Sequence, residues 1–437
     1  MIFVPAPTLV PAGTMMERLA RGQYVPYGSP MCRTALKNFI ANLENLNAMA
    51  IEYHVPLIFG TQVSNLRDLP PFISGVPPGI SATEKARLAA IVRDSAHFQD
   101  TILAPVHAAL RFSLARDLDR SGQYPEARRQ YRLARDYDEL RFRCSSDFND
   151  AIRHFGNLPG TRVVDFEEVF ALQSPDSNVG RTLITEHLHP NARGYFLMAK
   201  AYAAAMRAGG LLASDEEWTK RDTVSDELLW AERPLTDLDS LCAEKRTRLL
   251  TAGWPFRDST IAESPIGSDE LSRIAEKMVR GVFTWEEGHV AAAEAYEAAG
   301  EIRLAAREYR SLINQLPLNV SPYLRPGRLY AQAGYPDSAE TVLQRSLNLE
   351  RTSFALRSLG AIFVTRGRYA DATRLLNDAI PLCPTTQEIA DTRYLLALAW
   401  ARAGYRQQAL LELDRLFAVA PGHTVGQRLE ELMRGRQ

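Results

Sequence analysis

The sequence predicts two fold classes in one chain: an α/β domain followed by an all-α array of helix pairs. Three observations predict this. Four similar stretches recur in the C-terminal half, "EAAGEIRLAA", "AQAGYPDSAE", "VTRGRYADAT" and "ARAGYRQQAL". Two short apolar runs lie upstream, "VPLIFG" at residues 55–60 and "TRVVD" at 161–165, flanked by segments with apolar residues at helical spacing. The composition is that of an ordinary folded protein, 46% hydrophobic and 24% charged over 437 residues, with room for two or three domains.

The repeats are anchored by Gly300, Gly334, Gly367 and Gly404, at spacings of 34, 33 and 37 residues. Seventeen residues after three of them stand Pro317, Pro384 and Pro421, with Arg351 in that place in the second repeat. A helix pair of this length with a small residue, an aromatic soon after, an alanine in the second helix and a closing proline resembles the tetratricopeptide repeat. On this reading each glycine lets the first helix lie close to its partner. Tyr335, Tyr369 and Tyr405 fill the space between helices, and Ala339, Ala372 and Ala409 keep the second helix tight. One pair cannot bury its own apolar face, so neighbours must stack. Such arrays usually present a groove to a peptide or partner protein. "RSGQYPEARRQYRLARDYDEL", 120–140, repeats the signature with Gly122, Tyr124 and Ala127. It reads as a helical hairpin, near 108–142, inserted into the first domain and packed on something else, the C-terminal array being one candidate.

A formal net charge of −1 gives no sign of nucleic-acid or anionic-membrane binding. The four cysteines, Cys32, Cys144, Cys242 and Cys383, are too scattered for a zinc cluster or a disulfide framework. No apolar stretch is long enough to span a bilayer. The N-terminal "MIFVPAPTLVPAG" is broken by prolines and lacks the basic region of a signal peptide. As given, the chain reads as cytoplasmic, and as periplasmic or membrane-associated if its true start lies upstream.

In the N-terminal half, helix, strand, long excursion, helix, strand, loop and helix follow one another, a piece of a doubly wound sheet. After the second strand comes "TEHLHPNARGYFLMA", residues 185–199. It resembles the last block of the SGNH (GDSL-type) hydrolases, which reads Asp-x-x-His-Pro before the final helix. With "VPLIFGTQVSNLRDLPPF", "DELRFRCSSDFNDAI" and the repeats, it resembles a bacterial subgroup that fuses such a hydrolase domain to tetratricopeptide repeats. The resemblance implies a partial flavodoxin-like three-layer α/β domain at 1–210, a helical linker at 211–283 and a repeat superhelix at 284–437. It also implies His189 as the catalytic histidine, Glu186 in the place of the family's aspartate, and an acyl ester substrate without a cofactor. A carboxylate there would fix the imidazole tautomer and stabilise the imidazolium. His187 is expected to point away.

The nucleophile is missing. The family's Gly-Asp-Ser block and its oxyanion glycine and asparagine belong upstream of "VPLIFG", and no such blocks occur. The chain therefore reads as a late-starting frame or a degenerate paralogue, inactive as given. The alternative is a non-catalytic interaction scaffold using the repeat groove. Thr61 and Asn65 lie past a strand end, where they either line a substrate pocket or cap the loop. Arg141 and Arg143 either hold an anionic substrate group or pair with acids on the surface. Glu186, His187 and His189 suit a metal in principle, but no distant further ligand stands out, and no metal is expected. His54, His97, His107 and His154 read as isolated histidines.

Overall fold

The computed structural model describes residues 15–76, 79–93, 106–256 and 269–435. The proline-rich start and His97 lie outside them. The chain divides into two compact units, 1–232 with 247–263, and 233–246 with 264–437.

In the first unit, α1 (Met15–Ala20) precedes α2 (Pro30–Glu52). Ser29 caps α2 by accepting from the Cys32 N–H at 3.2 Å, and Pro30 occupies the first turn, where its missing N–H costs nothing. Next come β1 (Leu57–Gly60), α3 (Ala82–Arg93), α4 (Ala108–Arg120), α5 (Tyr124–Asp136), α6 (Ser146–Phe155) and β2 (Thr161–Val164). The strands pair in parallel, Leu57 opposite Thr161 and Gly60 opposite Val164. A parallel pair needs a long crossover, and α3 to α6 supply it. α7 (Phe166–Leu172) and α8 (Ala192–Ala208) follow. Phe59 and Val163 pack with Leu43 of α2 and with Ile152 and Phe155 of α6. Ile58 and Val164 pack with Phe166, Phe170 and Leu197 of α7 and α8. The sheet is thus sandwiched between helix layers.

The expected pair of parallel strands is present, the described residues form no other strand, and the crossover between the two is helical, so nothing here extends to a full flavodoxin-like sheet. The inserted hairpin, α4 with α5, finds its partners inside this unit. Phe112, Ala115, Ala127 and Tyr131 pack with Leu66, and Leu110 packs with Leu88 and Ile91 of α3.

α9 (Asp215–Arg221), α10 (Asp226–Ala231) and α11 (Asp237–Thr251) follow, then α12 (Glu270–Val279). Leu238 and Cys242 of α11 bury against Ile274, Ala275 and Met278 of α12. The repeats are α13 (Trp285–Ala298) with α14 (Ile302–Gln315), α15 (Ser321–Gln332) with α16 (Pro336–Leu349), α17 (Ser353–Thr365) with α18 (Tyr369–Ala379), and α19 (Thr386–Arg402) with α20 (Arg406–Val419). α21 (Thr424–Arg434) closes the series against α19 and α20. These stacked hairpins form a helical superhelix of tetratricopeptide type.

The repeat register differs from the sequence reading in an informative way. Gly300, Gly334, Gly367 and Gly404 end the first helices with φ between +75° and +86°, and no side chain crowds them. They are turn glycines, present because the left-handed backbone penalises a Cβ. Close approach occurs seven residues earlier, at Ala293, Gly327, Gly360 and Ala397, all buried. A Cβ on Gly327 would lie 2.5 Å from Leu343, and one on Gly360 would lie 2.7 Å from Leu376. Tyr335 and Tyr405 do not fill the interior: they are 37% and 55% exposed at the start of the second helices. The space is filled nine residues after the turn glycine, by Tyr309, Leu343, Leu376 and Leu413. Ala305, Ala339, Ala372 and Ala409 are fully buried, as the tight crossing requires.

The hairpin of the first unit repeats this register. Ala115, Gly122 (φ +79°), Ala127 and Tyr131 stand where α13 and α14 have Ala293, Gly300, Ala305 and Tyr309. Even the tyrosine hydroxyls match, Tyr131 donating to Asp119 at 3.3 Å and Tyr309 to Glu297 at 2.8 Å.

Candidate functional site

The segment between α7 and α8 folds back through a bridge between Ile184 and Pro190, and Asn191 caps α8 by accepting from the Arg193 and Gly194 N–H groups. Pro190 and Asn191 thus hold 185–189 as a loop. Its short path wraps the Glu186 carboxylate in backbone donors, His187 N–H and Leu188 N–H to Oε2 and His189 N–H to Oε1 at 3.0 Å. The Nδ1 of His189 meets Oε1. Burial pushes the Glu186 carboxyl up, but the two imidazoles and the loop amides outweigh it and hold the group at about 2. Glu186 is therefore an anion at neutral pH. His189 is exposed, so its outer nitrogen faces solvent.

His187 does not point away. It is 4% exposed, its ring lies among Phe72, Phe142 and Phe256 at centroid distances of 5.8, 6.0 and 5.6 Å, and its Nδ1 lies against Glu186 Oε2. The sequence holds the signal: a histidine one residue after the acid can return to the other carboxylate oxygen when the loop is this tight.

Asn65 is drawn into the same place. Its Nδ2 donates to the Glu186 carbonyl at 3.0 Å, its own N–H donates to the His187 carbonyl at 2.9 Å, and its Oδ1 accepts from Asp68 N–H at 2.9 Å. Thr61 lies elsewhere, pinning the end of β1 to α7. Its hydroxyl donates to Asp165 at 3.0 Å and accepts from Glu167 N–H at 3.1 Å. Both residues are 1% exposed, with their polar atoms committed inside the protein.

Arg143 is not on the surface. It is 5% exposed, paired with Asp138 at 3.0 Å, and it donates to the Asn65 and Leu69 carbonyls at 3.0 and 3.2 Å. Asp138 in turn accepts from the Phe72 and Ile73 N–H groups. This pair fixes the "NLRDLPPF" segment beneath His187. Arg141 is bound to the Val25 and Asp136 carbonyls. Of the other histidines, His107 caps α4, where burial pushes its imidazole down, and His54 and His154 are exposed.

A polar cluster the sequence reading missed lies in the second unit. His289 of α13 is fully buried, its Nδ1 2.6 Å from Glu308 and its Nε2 3.2 Å from Asp239, with the Trp285 ring tilted against it at a centroid distance of 4.1 Å. Burial pushes its imidazole down, but the two carboxylates raise it to about 9. Burial likewise pushes the Glu308 carboxyl up. No local motif announces the cluster, because the three residues come from different helices.

Along the repeats, α15 packs on α17 and α17 on α19, whereas among the described residues no second helix makes so extensive a contact with the next second helix. The first helices α15, α17 and α19 thus form a continuous row. Ion pairs cross from α15 to α13 of the preceding repeat, Arg325 to Glu294 at 2.7 Å and Glu297 at 3.8 Å, and Arg328 to Glu297 at 3.9 Å.

No known family model matches the chain, and no curated protein matches it. Solved structures do. The crystal structure of MamA protein is 22% identical over 35% of this chain and 83% of its own, with a TM-score of 0.32. YrrB, described as a TPR protein with an unusual peptide-binding site, is 15% identical over 50% of this chain and 97% of its own, with a TM-score of 0.31. The APC/C hetero-tetramer Cut9-Hcn1 is 14% identical over 80% of each chain, with a TM-score of 0.32. Among the described residues no helix is long and apolar enough to cross a membrane.

Proposed function

We propose that the protein is an interaction scaffold whose repeats receive a peptide or a segment of a partner protein along their first helices. The observation that carries this reading is the row of first helices, with α15 packed on α17 and α17 on α19, and with Glu294 and Glu297 of α13 paired to Arg325 and Arg328 of α15 across a repeat boundary. These charges pair with one another on the surface, where such pairs are worth little, so a ligand carrying opposite charges can replace them at small cost. Selection of displayed random peptides against the full chain tests the reading. The expected outcome is a set of charged peptides whose binding is lost in an Arg325→Glu, Arg328→Glu double variant with unchanged helix content. Peptides that bind the variant equally well, or none above background, would overturn it.

A second reading concerns the first unit. The Glu186–His189 contact supports a carboxylate–imidazole pair of SGNH-hydrolase type, with Glu186 fixing the tautomer at Nδ1 and leaving the other nitrogen outward. On this reading the pair is inert, because the sequence has no Gly-Asp-Ser for the imidazole to activate. The chain should not hydrolyse short p-nitrophenyl acyl esters above background, and His189→Ala should change nothing. Turnover abolished by His189→Ala would reveal a nucleophile and restore a hydrolase function.

A further inference from the structure

We propose that Glu186, His187 and His189 form a binding site for a divalent transition-metal ion, with zinc the best match. One donor atom from each residue lies within 4.8 Å of the other two. Bonds of about 2.0–2.2 Å to one ion put its ligands roughly 3.3–3.6 Å apart in a tetrahedron, so small adjustments complete the site. Two imidazoles and one carboxylate match zinc, nickel or copper and not magnesium or calcium, which require oxygen ligands.

An independent observation points the same way. His187 is only 4% exposed, and its Nδ1 lies against the Glu186 carboxylate yet finds no hydrogen-bond partner of acceptable geometry. A buried imidazole nitrogen and a carboxylate oxygen converging in this way are a donor pair that one cation can share. The supporting shell is also in place. The amides of 187–189 orient the carboxylate, and Phe72, Phe142 and Phe256 fix the His187 ring in apolar surroundings. Exposed His189 provides the way in. Three protein donors leave a position for water, the pattern of an open site and not of a closed structural one. The ion would take the nitrogen that Glu186 orients in the hydrolase-type reading, so the proposal stands apart from that reading and from the scaffold.

The experiment titrates ZnCl2 into the chelator-stripped full chain by calorimetry and follows the melting temperature. The expected result is one equivalent bound at about micromolar affinity or tighter, a higher melting temperature, and no response to MgCl2. His189→Ala, a change at an exposed side chain, and Glu186→Gln should each weaken binding about tenfold or more. His187→Gln should do the same, and if that buried change prevents folding the other two variants still decide. No zinc uptake below about millimolar, or uptake unchanged in both His189→Ala and Glu186→Gln, would overturn the site.

Discussion

At the scale of single residues, His289 governs a pH dependence of stability. Its folded-state value is about 9 against 6.5 for a free imidazole. The stabilisation by Asp239 and Glu308 is therefore complete below about pH 6.5 and is lost as pH rises through about 9. At about 1.36 kcal/mol per unit, the loss is of order 1–3 kcal/mol. Urea denaturation of the full chain at pH 6.5 and 9.5 should show the second unit weakening, with a clearly smaller change in His289→Gln. An equal change in that variant would assign the effect to other groups. A second buried network is built on arginine. Arg135, 2% exposed, is held between Asp136 at 3.0 Å and Glu167 at 2.6 Å, and Arg153 reaches Glu167 and Asp165. This network ties α5 and α6 to the start of α7 beside the strand ends.

At the scale of helix pairs, two sets of small residues do different work, and substitution separates them. Gly360 faces fully buried Leu376, so Gly360→Leu should overpack the crossing and cost about 1–3 kcal/mol, or prevent folding of that repeat. Gly334 faces open space at φ +78°. Gly334→Ala should cost about 1–2 kcal/mol through backbone strain alone, and Gly334→Asn should cost less because asparagine tolerates that region. Thermal melting of the full chain checks both. A larger loss in Gly334→Ala than in Gly360→Leu would reverse the assignment. The repeat, its period and its buried alanines are legible in the sequence because glycine at a left-handed turn leaves a periodic mark. The identity of the crossing residue is not, because an alanine or glycine at a crossing looks like any other small residue until its neighbour is known. For the same reason the sequence pattern puts the tyrosines after the turn in the interior. The structure gives that role to the later position, held by Tyr131 in the first unit and Tyr309 in the second.

At the scale of the whole molecule, the second unit includes residues 233–246, well ahead of the first repeat. Leu238 and Cys242 cover Ile274, Ala275, Met278 and Ala292, and Asp239 reaches His289. A fragment of residues 233–437 should therefore melt several degrees above one of 269–437, about the shift expected for a loss of 1–2 kcal/mol in a domain of this size. Equal melting temperatures would show that α11 is not part of the array. The sequence by itself determined the things that local physics writes down: the helix-pair period, the two apolar strands, the loop held before α8 and the nearness of Glu186 to His189. Each depends on residues a few positions apart, or on a pattern that repeats. Only the tertiary structure decided the rest. It brought Asn65 to the Glu186 loop and buried Arg143 with Asp138. It turned His187 inward among three aromatic rings and joined His289 to Asp239 and Glu308. These contacts join distant segments, and their energies come from burial and charge pairing, which no short stretch of sequence specifies.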